Sequence, residues 1–262
     1  MPAETIDDVI HALDGIIDWA WDQTSRAGYF AALYRRVTRA VKDGVARGRF
    51  QNGQRMEKLD VIFANRYLQA FEQFRAGQPP TLSWQVAFHA AGRWYPIVVQ
   101  QLLVGINAHI NLDLGIAAAQ TAPGDQLPGL QADFNGINTV LAELVGTVEK
   151  EIGEVSPMID LLQKFDLRTE TTIINFNMTV ARDAAWNAAV NLAATSPDLM
   201  AAAIADVDLR TSVFGKLVAA PPMLIKLQLM PIRACENNDI RKVLDVLAAE
   251  PRAAERAAVA GS

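Results

Sequence analysis

The run Ile106-Asn107-Ala108-His109-Ile110-Asn111-Leu112-Asp113-Leu114 constrains the fold most, because it sets an imidazole, a carboxylate and two carboxamides into an otherwise apolar stretch. Ile97 to Val104 before it and Leu114 to Ala119 after it are predominantly apolar, so a helix through this region has no continuous polar side to turn to water. That helix is expected to run from Pro96 to Ala119 as the buried centre of the fold, with Pro96 in its first turn. On it, His109 and Asp113 stand four residues apart on one face, and Asn107 and Asn111 form a second pair about two residues round. Buried polar groups need partners, so these four read either as the floor of a site or as core groups that satisfy one another.

The rest of the chain is punctuated as helices. Thr5 can cap a first helix with Asp8 three residues on, and apolar residues recur at helical spacing from Ile6 to Trp21. Further helices are expected from about Tyr29 to Arg47 and from about Arg55 to Arg75, the latter ended by Gly77-Gln78-Pro79-Pro80. A fourth, capped by Thr81 or Ser83, carries Trp84, Phe88 and His89 before Gly92. Thr121 to Gly129 reads as a connector or a lid, followed by a helix from about Gln131 to Ile152 and a short one from Ser156-Pro157. Asp166 to Thr172 leads into a long helix carrying Asn175, Asn177, Arg182, Asp183, Trp186 and Asn187, and capped segments start at Ser196 and about Asn238. No stretch alternates with a period of two. The expectation is an all-α fold: one irregular bundle of about ten helices over residues 1–250 around a buried central helix, then a loose tail over 251–262.

Composition narrows the function. With 51% hydrophobic and 20% charged residues the chain can bury a large core. A net charge of −5 offers no basic field for a phosphate backbone or an anionic membrane, so neither nucleic acid nor membrane is expected as a partner. The single Cys235 and a start, Met-Pro-Ala-Glu-Thr, without basic and apolar regions make the cytoplasm the expected location; the oligomeric state stays open. There is no Gly-rich phosphate loop, Gly-x-Gly-x-x-Gly, Gly-x-Ser-x-Gly, His-Glu-x-x-His or Cys-x-x-Cys, so no cofactor is expected and the partner is a small-molecule substrate. Glu57 and Asp60, near the start of the third helix, read as dipole partners.

The chemistry then rests on His109 and Asp113 as the catalytic pair, the imidazole moving a proton and the carboxylate fixing its tautomer. Arg66, Tyr67, Trp84 and Trp186 would shape and orient a largely apolar ligand, with Asn107 and Asn111 beside it. His89 would join only if the fourth and central helices are not a simple hairpin, since thirteen residues beyond Pro96 at 1.5 Å each place His109 about 20 Å along. The reaction types that fit are cyclisation, isomerisation or elimination on an apolar or amphipathic small molecule. Two alternatives stand beside them: a metal-dependent hydrolase using His109 and Asp113 as ligands, and a non-catalytic small-molecule carrier.

Two resemblances attach to these residues. His109-x-x-x-Asp113 is similar to part of the ligand pattern of the all-α zinc phospholipase C and P1 nuclease family, but Ala117, Ala118 and Ala119 stand where that pattern has a further histidine. Phe30-x-x-Leu33-Tyr34, Met56-x-x-Leu59-Asp60-x-x-Phe63-Ala64-x-Arg66-Tyr67, Ser83-Trp84-x-x-Ala87-Phe88 and Asn107-x-His109-Ile110-Asn111-x-Asp113-Leu114 together resemble a bacterial all-helical family of unassigned function, over Phe30 to about Ala249. That second resemblance implies an all-helical fold and a single site containing Arg66, Tyr67, Trp84, His109 and Asp113.

Overall fold

A computed structural model describes residues 2–159 and 178–249, and all regular structure among them is helical. The described residues form eleven α-helices: α1 Ile6–Asp22, α2 Gly28–Ala46, α3 Gly53–Arg75, α4 Leu82–Ala91, α5 Val98–Ala108, α6 Gly115–Thr121, α7 Leu127–Val155, α8 Met178–Ala193, α9 Pro197–Ala219, α10 Met223–Cys235 and α11 Ile240–Ala248. The lead-in expected over 166–172, Asn175, Asn177 and the tail over 251–262 lie outside the described residues.

The helices start where acceptors for orphan backbone N–H groups exist, and only some of those acceptors are local. At α1 they are: Thr5 Oγ1 accepts from Asp8 N at 3.1 Å and Asp8 Oδ2 accepts from Thr5 N at 2.9 Å, as the sequence predicts. At α4 the acceptor is neither Thr81 nor Ser83. Asp208 of α9 accepts from Leu82 N (2.7 Å), Ser83 N (2.9 Å) and the Ser83 hydroxyl (2.7 Å), its two carboxyl oxygens serving three donors at once. At α5 it is Glu236, whose Oε1 accepts from Val98 N at 2.8 Å. α7 begins at Leu127, four residues earlier than expected, because Pro128 suits a first turn; residues 122–126 alone connect it to α6.

α5, a π-helical turn over His109–Leu114 and α6 make one rod, Val98–Thr121, starting two residues after Pro96. This rod is long and apolar enough to cross a membrane, but here it runs through the bundle, with 83% of its most apolar window buried. α2, α3, α4, α8 and α9 surround it. The π turn falls on the polar residues and widens the helix there, a geometry that occurs mostly in single turns and often at functional sites.

Gly115 follows the π turn where α6 packs against α8. A Cβ there would lie 2.8 Å from the Ala185 carbonyl oxygen and 3.0 Å from the Ala188 Cβ, so backbone would have to move. Gly115→Ala is therefore expected to cost about 1–3 kcal/mol by overpacking. Gly146, with nothing within 4 Å of a Cβ, should instead gain up to about 1 kcal/mol from the same change through helix propensity. Urea midpoints of the two variants check the contrast; equal shifts of one sign would contradict the packing described.

Candidate active site

Three helical elements meet at Asp113. Its Oδ1 accepts from Arg66 Nε of α3 at 2.8 Å and its Oδ2 from Trp84 Nε1 of α4 at 2.8 Å, with the carboxylate buried. His109 Nδ1 lies 3.7 Å from Asp113 Oδ2, too far for a hydrogen bond. The expected pairing of the two is therefore a close approach without a hydrogen bond. The two side chains share a face, but donors from α3 and α4 occupy the carboxylate.

His109, 3% exposed, sits instead in an aromatic box. Its ring stacks on Phe63 at 3.5 Å between centroids and 11° between planes, with the edges of Tyr34 at 4.3 Å and Phe30 at 5.3 Å. Tyr67 and Trp84 stand behind at 6.3 Å each. Neither ring nitrogen has a hydrogen-bond partner. Burial lowers the imidazole pKa, against the opposing pull of Asp113, so the ring is largely neutral at pH 7 and keeps one unused donor and one unused acceptor.

One edge of the box opens on a cavity of about 250 Å³, walled by apolar side chains such as Leu33, Val37, Met56, Leu59 and Ile110. Asp60 and Tyr34 line it with His109. The Asp60 Oδ2 has no partner, and burial, followed by the charge of Glu57 three residues earlier, pushes the carboxyl pKa up to about 7. The Tyr34 hydroxyl is likewise buried without a partner, and burial, with Asp60 second, raises its pKa well above the ordinary phenol value. Each unsatisfied buried group costs about 1–3 kcal/mol, and here α2, α3 and the π turn each contribute one around a single cavity.

Of the remaining residues singled out in the sequence, Arg182 lines this cavity and the others do not. Arg66 and Trp84 hold Asp113, and Tyr67 packs on Trp84 at 4.8 Å with its hydroxyl buried and unpartnered, so those three and Asp113 cluster behind His109, which itself lines the cavity. Asn107 and Asn111 face elsewhere. Asn111 Nδ2 donates to Asn107 Oδ1 at 2.8 Å, Asn107 Nδ2 donates to the Thr211 carbonyl at 2.9 Å, and both border a separate cleft of about 660 Å³ between α8 and α9. Trp186 packs on Phe134 at 5.0 Å. His89 is exposed, and its Nε2 meets Arg93 Nε at 3.0 Å, away from the box.

Asp60 and Tyr34 are the cavity residues that the sequence reading passed over as functional. The signal for Asp60 was its place on the buried stripe of α3, in step with Met56, Phe63 and Tyr67, where a carboxylate is costly. No group of three or more His, Cys, Asp or Glu gathers as metal ligands among the described residues, so His109 and Asp113 find no third such donor there.

Over residues 6–221 the sequence matches a family of unknown function, DUF5995. No curated protein and no solved structure matches.

Proposed function

We propose, for a chain that belongs to this family of unknown function, that it is an acid–base enzyme acting on an apolar or amphipathic small molecule held in the cavity beside His109. The observation that carries the reading is that Asp60, His109 and Tyr34, each with buried polar atoms that have no hydrogen-bond partner, line one apolar cavity. Proton transfer needs a group that gives and a group that takes near the working pH. A carboxyl pushed up to about 7 populates both forms there, and a neutral imidazole can accept at one nitrogen while donating at the other. Tyr34, which lines the same cavity, would donate its hydroxyl to a ligand oxygen. Apolar walls keep water from competing for these groups. Isomerisation, elimination and cyclisation are the reaction types that a proton donor and acceptor in a dry cavity can serve.

The same apolar walls would suit a carrier, and the two readings separate on Asp60 and His109. Small molecules that co-purify with the protein from its own cells are extracted, identified and offered back to the wild type, Asp60→Asn and His109→Gln. The enzyme reading expects conversion by the wild type and a rate lower by a factor of about 10² to 10⁴ in each variant, with binding retained. Binding without conversion by all three would overturn it in favour of a carrier.

A further inference from the structure

We propose that the molecule this cavity takes is an apolar carboxylic acid whose carboxylate pairs with Arg182; the inference rests on the cavity being a ligand site and names the ligand's class. Arg182 of α8 lines the same cavity as His109 and Asp60 and is 3% exposed. Its Nη2 donates to the Phe134 carbonyl and its guanidinium lies over the Phe134 ring, 4.5 Å from the centroid. Its Nε is buried with no partner. The other fully buried guanidiniums have counter-charges, Arg35 with Asp14 and Arg233 with Glu236. Among the described residues no carboxylate pairs with Arg182, and Asp183, next in the chain, is exposed.

A buried cation without a counter-ion is strongly disfavoured, and arginine does not escape by losing its proton: burial brings its pKa down only to about 10. Among the described residues nothing balances the charge, and an anion bound in the cavity would. The planar guanidinium matches the two oxygens of a carboxylate, whereas a phosphate would bring further charge and oxygens into a lining whose other polar residues are Tyr34, Asp60, His109 and Glu149 and which is apolar elsewhere. No ion pair joins Asp60 to Arg182, and Asp60 Oδ2 stays unpartnered, so an acid bound at Arg182 leaves Asp60 and His109 to face another part of the same molecule.

Calorimetric titration of the full chain with decanoate and with 1-decanol tests this at about pH 6.5, where the fatty acid is ionised and Asp60 largely protonated. Wild type should bind decanoate about tenfold or more tighter than decanol. Arg182→Gln should lose that preference and keep its decanol affinity, and Arg182→Lys should keep part of the preference. Should Arg182→Gln fail to fold, the wild-type preference is read alone. Equal affinity of wild type for the two probes would overturn the carboxylate while leaving the apolar cavity reading intact. Binding of neither would overturn both.

Discussion

Asp113→Ala is expected to cost about 3 kcal/mol of folding stability, toward the lower end of the range for breaking a buried charge pair. The change strips an acceptor from two donors at once, Arg66 Nε and Trp84 Nε1. Trp84 is 1% exposed and its indole N–H cannot turn to water. Arg66 can, in part, since 22% of its side chain is exposed, which is why the loss stays at the low end. Asp113→Asn keeps one oxygen for one of the two donors and should cost roughly half as much. Urea unfolding of both variants checks this. A cost below about 1 kcal/mol for the alanine would mean that Asp113 does not tie α3 and α4 to the central rod.

The second large effect is on pH. A carboxyl pushed up to about 7 in the folded chain and near its ordinary value when unfolded makes the folded state the better proton binder between those two values. Its contribution to stability is full at pH below about 4, falls as pH rises and is gone above about 7, amounting to about 4 kcal/mol at most. His109 runs the other way over part of the window. Its lowered pKa makes the unfolded chain the better proton binder below about 6.5, so that contribution rises with pH. The difference between wild type and Asp60→Asn cancels the histidine. Expressed as variant minus wild type, stability should climb from pH 4 to pH 7 and level off above. A flat difference would mean that Asp60 is solvated and not the buried acid described.

The central helix was legible because an apolar run of that length has no alternative to burial, and the helix breaks followed from Gly77-Gln78-Pro79-Pro80 and the Thr5 cap. What sequence could not supply is the choice among partners. Asp113 has His109 four residues away, yet it is held by Arg66 and Trp84, which are 47 and 29 residues distant and arrive on other helices. Asp208 at the start of α4 and Glu236 at the start of α5 repeat the pattern, each serving backbone more than a hundred residues away. Asp60 is not the dipole partner its nearness to the helix start suggests, since it lies two turns into α3, beyond the first turn in which that effect acts. Asn107 and Asn111 were correctly paired with each other but face a different cleft from His109, since the two pairs lie on different sides of the rod. The π turn itself has no sequence signature of the kind that Pro or Gly gives to a cap.

The most direct test of the account is a titration of the full chain with 1-decanol, read by carboxyl carbon resonances of aspartate and ring nitrogen resonances of histidine. If Asp60 and His109 are the polar groups of one ligand cavity, both resonances shift together and saturate at one ligand concentration, while the carboxyl of Asp208, committed to the start of α4, stays where it is. Decanol binding that leaves Asp60 and His109 unmoved, or that moves only one of them, would contradict a shared acid–base site.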